Sequence, residues 1–236
     1  MNRSAANASG GSGAAAYPRE MAESAKSRAA LYELLATLFR HNPSRQTLLS
    51  LRTTEMREAL SLAGMRLPET FYSENVDELA QTLAVAFTNL FLLPGRLISP
   101  HESVQRRGGS GFLRGPETVR VRDYYAAVGF EVNRTTPMEA DHVSIELEFL
   151  GHLANEEAKA WQSGNPGKAS DALRYQEDFL NRHTGQWIFD FLARVESRDR
   201  SGFYCELARL THDLCKEQLA YLPQLIEQSE QPDAVI

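Results

Sequence analysis

Cysteine is nearly absent from this chain, with only Cys205 and Cys215 among 236 residues. Ten residues of helix would separate them by roughly 15 Å, beyond disulfide reach. Both are therefore expected as thiols, as in a reducing compartment. Neither Cys-x-x-Cys nor His-Glu-x-x-His occurs, which removes the common zinc frameworks. The glycine-rich stretch 108–115 lacks the Lys-Ser/Thr ending of a phosphate-binding loop, and no Gly-x-Ser-x-Gly marks a serine nucleophile. No apolar run reaches the ~18 residues of a membrane helix, so stable membrane insertion is not expected. Positive charge is not in excess either. Lys and Arg number 25 against 31 Asp and Glu, a net charge of −6, which argues against nucleic acid as a partner and leaves room for a cationic one. The first twenty residues carry Arg3 but no Leu- or Val-rich core, a poor secretory signal. They are expected to form a disordered tail of small residues, 1–20, on a protein of the cytoplasm.

What is present is helical periodicity. Hydrophobic residues make up 42% of the chain, enough for one core. No internal repeat and no alternating apolar pattern occur. Leu31, Leu34, Leu35, Leu38 and Phe39 mark one face of a helix over 24–40, ended by His41-Asn42-Pro43. Further helices are expected over 44–63, 74–92, 117–128, 168–183, 184–196 and 201–227. Thr136-Pro137-Met138-Glu139 reads as a capping box opening a central helix that runs to about Gln162. The expected architecture is all-α, a single compact multi-helix domain over 21–228. It carries a mobile loop over 94–117, which holds four glycines between Gly108 and Gly115, and a C-terminal tail over 229–236.

Two clusters carry candidate chemistry. One is Ser99-Pro100-His101-Glu102-Ser103, and the other is Glu139, Asp141, His142 and Glu146 around the start of the central helix. Helix-dipole stabilisation accounts for acids in a first turn, and His142 with Glu146 is an ordinary i,i+4 pair. Glu139-x-x-His142 has the spacing of carboxylate-bridged di-metal bundles. Such sites need a second pair, and Glu148 and His152 lie one residue too far apart. No metal site is therefore expected, although a helical metalloenzyme using Glu139, His142 and His101 stays open as an alternative. Arg106-Arg107 reads as solvated loop charge.

Taken in order, Leu31-Tyr32-x-Leu34-Leu35, Phe87-x-x-Leu90-Phe91, Ser99-Pro100-His101-Glu102-Ser103 and Asp141-His142-x-x-x-Glu146-Leu147 resemble the TorD/DmsD family of molybdoenzyme maturation chaperones across about residues 25–220. Phe179-Leu180-x-x-His183, Trp187 and Phe191 are similar to that family as well. The resemblance implies an all-helical chaperone without catalysis. Its partners are the twin-arginine leader peptide and the apo form of a molybdenum-cofactor oxidoreductase, whose cofactor insertion it supports and whose premature export it holds back. It further implies a partner-binding role for Asp141-His142 and for Pro100, His101 and Glu102. The family's Pro stands two residues before the Asp, whereas here Pro137 stands four before. Members occur as monomers or homodimers, and guanine nucleotide binding is linked to some, though no motif supports it here and no cofactor is expected. A chaperone of a non-exported molybdoenzyme, such as a nitrate reductase, is the alternative client relation. A leader offers two guanidinium groups followed by an apolar stretch, so its receptor needs desolvated carboxylates beside an apolar groove. Asp141, Glu102, Glu139 and Glu146 are the candidate acceptors. Phe87, Phe91 and Leu92 are candidates to line the groove, with core packing as the competing role of each.

Overall fold

The computed structural model describes residues 11–132 and 138–230. Eleven α-helices are found among the described residues: α1 Gly11–Arg40, α2 Arg45–Leu51, α3 Thr54–Leu62, α4 Glu69–Ser73, α5 Val76–Phe87, α6 Glu102–Gln105, α7 Pro116–Val128, α8 Val143–Gln162, α9 Pro166–Arg182, α10 Ile188–Arg198 and α11 Phe203–Glu230. A π-helical turn, Thr88–Leu92, extends α5, and a 3-10 turn, Thr184–Gln186, precedes α10. No strand occurs among the described residues, only one isolated antiparallel bridge between His101 and His142. No described helix is long and apolar enough to cross a membrane. Both cysteines are free thiols.

Helix α8 is the axis of the fold. It runs against α1 along most of its length and against α9 on another side, while α11 closes over α9 and α10. Its apolar residues spread over several faces, and Leu147, Phe149, Leu150 and Leu153 are all buried. Gly151 allows the close approach of α1, because a Cβ there would stand 3.2 Å from the Cβ of Tyr32. Side-chain caps set several helix starts. Ser44 accepts from the Thr47 N–H at 3.1 Å, Thr53 from Met56 at 3.3 Å and Asn165 from Lys168 at 3.1 Å.

Five boundaries differ from the sequence expectation. The 44–63 segment is two helices, because Thr53 adopts an extended conformation and caps a new one. Helix α4 fits between Pro68 and Asn75, too short to show a period. Residues 11–20, assigned to the tail, belong to α1, and Tyr17 packs edge-on to Trp161 with ring centroids 5.9 Å apart. The C-terminal boundary shifts similarly, since α11 runs to Glu230. The fifth difference matters most. Thr136 and Pro137 of the expected capping box lie outside the described residues, while Met138–Asp141 form a turn and α8 begins only at Val143. Bridging to His101 holds His142 extended, so the helix cannot start earlier.

Candidate functional site

The candidate site is built where the segment after the π-helical turn meets the entry to α8. The π-helical turn directs Leu90 and Phe91 into the core, and the Leu90 carbonyl accepts from Ile98 N–H at 2.7 Å, which anchors the chain just before Ser99. Pro100 and Glu102 then pair with the other half through the backbone. Val143 N–H donates to the Pro100 carbonyl at 2.8 Å, and Glu102 N–H donates to the Asp141 carbonyl at 3.0 Å. The two histidines of the bridge meet edge to face with ring centroids 5.0 Å apart. The two sequence clusters, about forty residues apart, thus form one junction.

His142 is itself the cap of α8. Its Nδ1 accepts from Ser144 N–H at 3.1 Å and lies 2.8 Å from the Ser144 hydroxyl. Burial, reinforced by the neighbouring His101 and by Arg40, lowers its pKa from 6.5 to about 3, so the ring is neutral and free to accept. His101 is also held below its ordinary value by burial, although Asp141 and Glu139 pull the other way.

Three carboxylates lie beneath the bridge, and Glu102, Asp141 and Glu146 are each 0% exposed. Glu102 pairs with Arg106 through one oxygen and with His183 Nδ1 at 3.0 Å through the other. Asp141 Oδ2 accepts from Ser103 N–H at 2.9 Å, but its Oδ1 has no hydrogen-bond partner among the described residues. Glu146 Oε2 accepts from the Trp187 indole N–H at 3.1 Å, and its Oε1 is also unpartnered among the described residues. Burial pushes the Glu146 carboxyl well above its ordinary range. The charge of Glu102 adds to that, while the Trp187 indole donor is too weak to reverse it. Tyr125 braces the turn from below, its hydroxyl donating to the Ala140 carbonyl at 3.1 Å. A depression of about 590 Å³ opens beside His183, lined in part by Arg106, Arg120, Tyr124 and Arg182.

Chemically, such a cluster can receive hydrogen-bond donors that carry positive charge, since buried carboxylate oxygens without partners are costly. Among the described residues, no group of three or more His, Cys, Asp or Glu side chains is arranged to hold a metal ion.

A family model described as nitrate reductase delta subunit matches residues 49–193. The chaperone protein TorD of Vibrio cholerae is 30% identical over 216 residues, covering 86% of this chain and 94% of its own length. The chain belongs to the TorD family. Its members are chaperones of redox-enzyme maturation, and the relatives are named chaperones rather than enzymes. TorD of Vibrio parahaemolyticus is 26% identical over 208 residues, covering 83% of this chain and 94% of its own. A crystallised protein from Archaeoglobus fulgidus aligns over 78% of this chain and 93% of its own at 19% identity, with a TM-score of 0.48.

Within this TorD-family chain, Pro100, His101, Glu102, Asp141, His142 and Glu146 converge on the junction. Glu139 sits at its edge, ion-paired with Arg114 at 2.6 Å. Phe87 and Phe91 do not join it. Both are buried in the core, where the Phe91 ring lies 6.3 Å from Phe39 and 6.1 Å from Phe191 between centroids, so neither lines a groove. The exposed apolar residues of that region are Val85, Leu92, Leu93 and Leu97 instead. Nor is 94–117 one open loop. Ile98, Ser99, Glu102 and Ser103 are buried, and Arg106 is tied to Glu102 rather than solvated. Sequence reasoning left His183 and Trp187 out of the site. Their one signal was the Phe179-Leu180-x-x-His183 spacing, which puts His183 one turn beyond Phe179 and onto Glu102.

Proposed function

We propose that this chaperone binds the twin-arginine leader peptide of a molybdenum-cofactor oxidoreductase at the His101–His142 junction, acting in the cytoplasm before export. The observation that carries the reading is Asp141 Oδ1, a fully buried carboxylate oxygen with no partner among the described residues, in a cluster with Glu102 and Glu146. A guanidinium supplies several donors in one plane and is the cation best suited to paired carboxylates. The apolar stretch that follows the arginines has a place as well. Val85, Ala86 and Leu93 line a depression of about 690 Å³ between the π-helical turn and the α10–α11 connection. Hydrogen bonds link the junction to that depression, from Ser99 through Gln105 to Arg194, and one turn further along α10 from Arg198 to the Arg96 carbonyl.

Solvent does not reach Asp141 in the free protein, so binding requires residues to move. The 106–115 segment is the element suited to this. It is strapped to both halves of the junction, with Arg106 on Glu102, Ser110 on the Ser103 carbonyl at 3.3 Å and Arg114 on Glu139. Holding the apo enzyme while its cofactor enters, and delaying export until then, follow from occupying the leader.

Isothermal titration with the leader of a molybdoenzyme encoded beside this gene tests the proposal. The expected result is 1:1 binding per chain, weakened at least about tenfold by Glu102→Ala with Asp141→Ala. Equal affinity for the double variant and the wild type would sink it.

A further inference from the structure

The leader reading leaves unexplained why this chain carries an Arg-Arg pair of its own at the site. Arg106 and Arg107 follow α6 directly. The Arg106 backbone is extended, at φ −61° and ψ 127°, so the two side chains leave the chain in different directions. The Arg106 guanidinium pairs with buried Glu102 and donates to the Arg182 carbonyl at 2.9 Å. Arg107 forms a two-pronged pair with Asp190 in the first turn of α10, with its Nε at 2.6 Å and its Nη2 at 2.9 Å from the two carboxylate oxygens. Four residues after Gly108 come Phe112 and Leu113, held in water at 75% and 51% exposure. Two consecutive guanidinium groups on two carboxylates, followed by a short polar spacer and an apolar pair, is the chemistry expected of the ligand itself.

We infer that Glu102 and Asp190 are the two guanidinium seats of the peptide site. In the free chaperone the chain's own Arg106-Arg107 occupies both, and a twin-arginine leader binds by displacing it. The inference rests on the leader reading, to which it adds Asp190 as a binding residue and segment 106–113 as an internal competitor. The Arg107–Asp190 pair is largely exposed, and such pairs hold weakly, so exchange for another guanidinium costs little. Gly108 and Gly111, at φ +70° and +71°, are left-handed positions where the segment can swing away from α6 without side-chain strain. The unpartnered Asp141 oxygen lies on the residue bonded to Ser103, immediately after Glu102, and would take remaining donors of the first leader arginine.

The test uses the full chain and two labelled synthetic peptides. One is a leader peptide with Arg-Arg before an apolar stretch, and the other copies residues 104–115 of this protein. Arg107→Ala and the Arg106→Gln/Arg107→Ala double variant should bind the leader peptide more tightly than wild type, the double variant by about tenfold, because the competing occupant is gone. The 104–115 peptide should bind the double variant and not the wild type. Asp190→Asn, a surface change that spares the core, should weaken the leader peptide about tenfold and should abolish the advantage of Arg-Arg over Arg-Gln. Circular dichroism confirms that each variant is folded. A leader peptide that binds wild type and both arginine variants alike overturns the inference while sparing the leader reading. If the leader peptide binds none of them but the 104–115 peptide binds the double variant, the leader reading falls and the seats stand. If neither peptide binds any form, both fall.

Discussion

Near its C-terminal end, α8 carries Glu157, and near its N-terminal end it carries Glu146; both carboxylates are fully buried, about 16 Å apart along the helix. Both Glu157 oxygens accept from Arg28 Nη2, at 2.7 and 2.8 Å, and one also accepts from the Gln176 amide at 2.8 Å, while Arg28 Nη1 donates to Gln176 and Gln218. That network joins α1, α8, α9 and α11, and both carboxylate oxygens are satisfied. Glu146 has one indole donor, no cation and two further carboxylates for company. One end of the helix spends buried charge on holding four helices together. The other keeps acceptors in reserve that nothing among the described residues fills, which is a cost without benefit unless a partner supplies the donors.

The sharpest way to break this contrast is to remove Glu157. Glu157→Ala strands the Arg28 guanidinium among four helices and should cost about 3–5 kcal/mol in denaturant unfolding. Leader affinity of the molecules that remain folded should be unchanged. A loss below about 1 kcal/mol would mean that the network is not what ties these helices together.

The difference between the two ends also explains how much was legible in the sequence. The second half of α1 and the long helices α8 and α11 announce themselves, because Leu and Phe repeat at helical spacing over several turns, whereas α7 holds neither Leu nor Phe and reads as helix only for want of a partner strand. The pairing of Arg28 with Glu157 does not, since nothing local to Arg28 differs from a solvated arginine and the partner is 129 residues away. The candidate site was half legible. Pro100-His101-Glu102 and Asp141-His142 stand out as short polar words between apolar helices, but their backbone pairing is a long-range event without a period. For the same reason the start of α8 was misplaced. Thr136-Pro137 carries every local sign of a helix entry, and the bridge to His101 overrides it six residues later. Phe87 and Phe91 show the converse, because an aromatic spacing that suits a groove suits a core equally well.

Titration separates the two ends again, with a smaller effect than removing Glu157. His142 binds a proton in the unfolded chain below 6.5 but in the folded chain only near 3. The folded state therefore holds fewer protons across that window. Its contribution is complete above 6.5 and is lost as the pH falls toward 3, a penalty on the order of 2–4 kcal/mol. His142→Asn keeps a side-chain acceptor for the Ser144 N–H and should remove this slope. Glu146 has the opposite sign. Its folded pKa is raised, so its stability is present below the unfolded value and lost as the pH rises through the folded one. Glu146→Gln should accordingly gain on wild type with rising pH. Urea midpoints between about pH 4 and pH 9 read both slopes, and parallel curves for wild type and both variants would contradict the assignment.

The smallest effect on stability should come from the residue with the largest effect on binding. Asp141 uses one oxygen to accept from Ser103 N–H at 2.9 Å and leaves the other unpartnered. Asp141→Asn is nearly the same size, and its amide oxygen can take over the Ser103 bond while the amide nitrogen fills the unpartnered position. It also removes a negative charge beside Glu102, while burial already favours the neutral form of Glu146. The cost in unfolding free energy should therefore be below about 1 kcal/mol, and relief of repulsion with Glu102 can bring it to zero. Toward the leader the same change acts differently. The new amide presents donors where a guanidinium also presents donors, so the interaction turns from charge-assisted attraction to repulsion between like groups, and affinity should fall by at least about tenfold. A variant that melts like the wild type and binds the leader poorly identifies Asp141 as a recognition residue. One that fails to fold makes Asp141 a structural brace like Glu157, and erases the distinction between the two ends of α8.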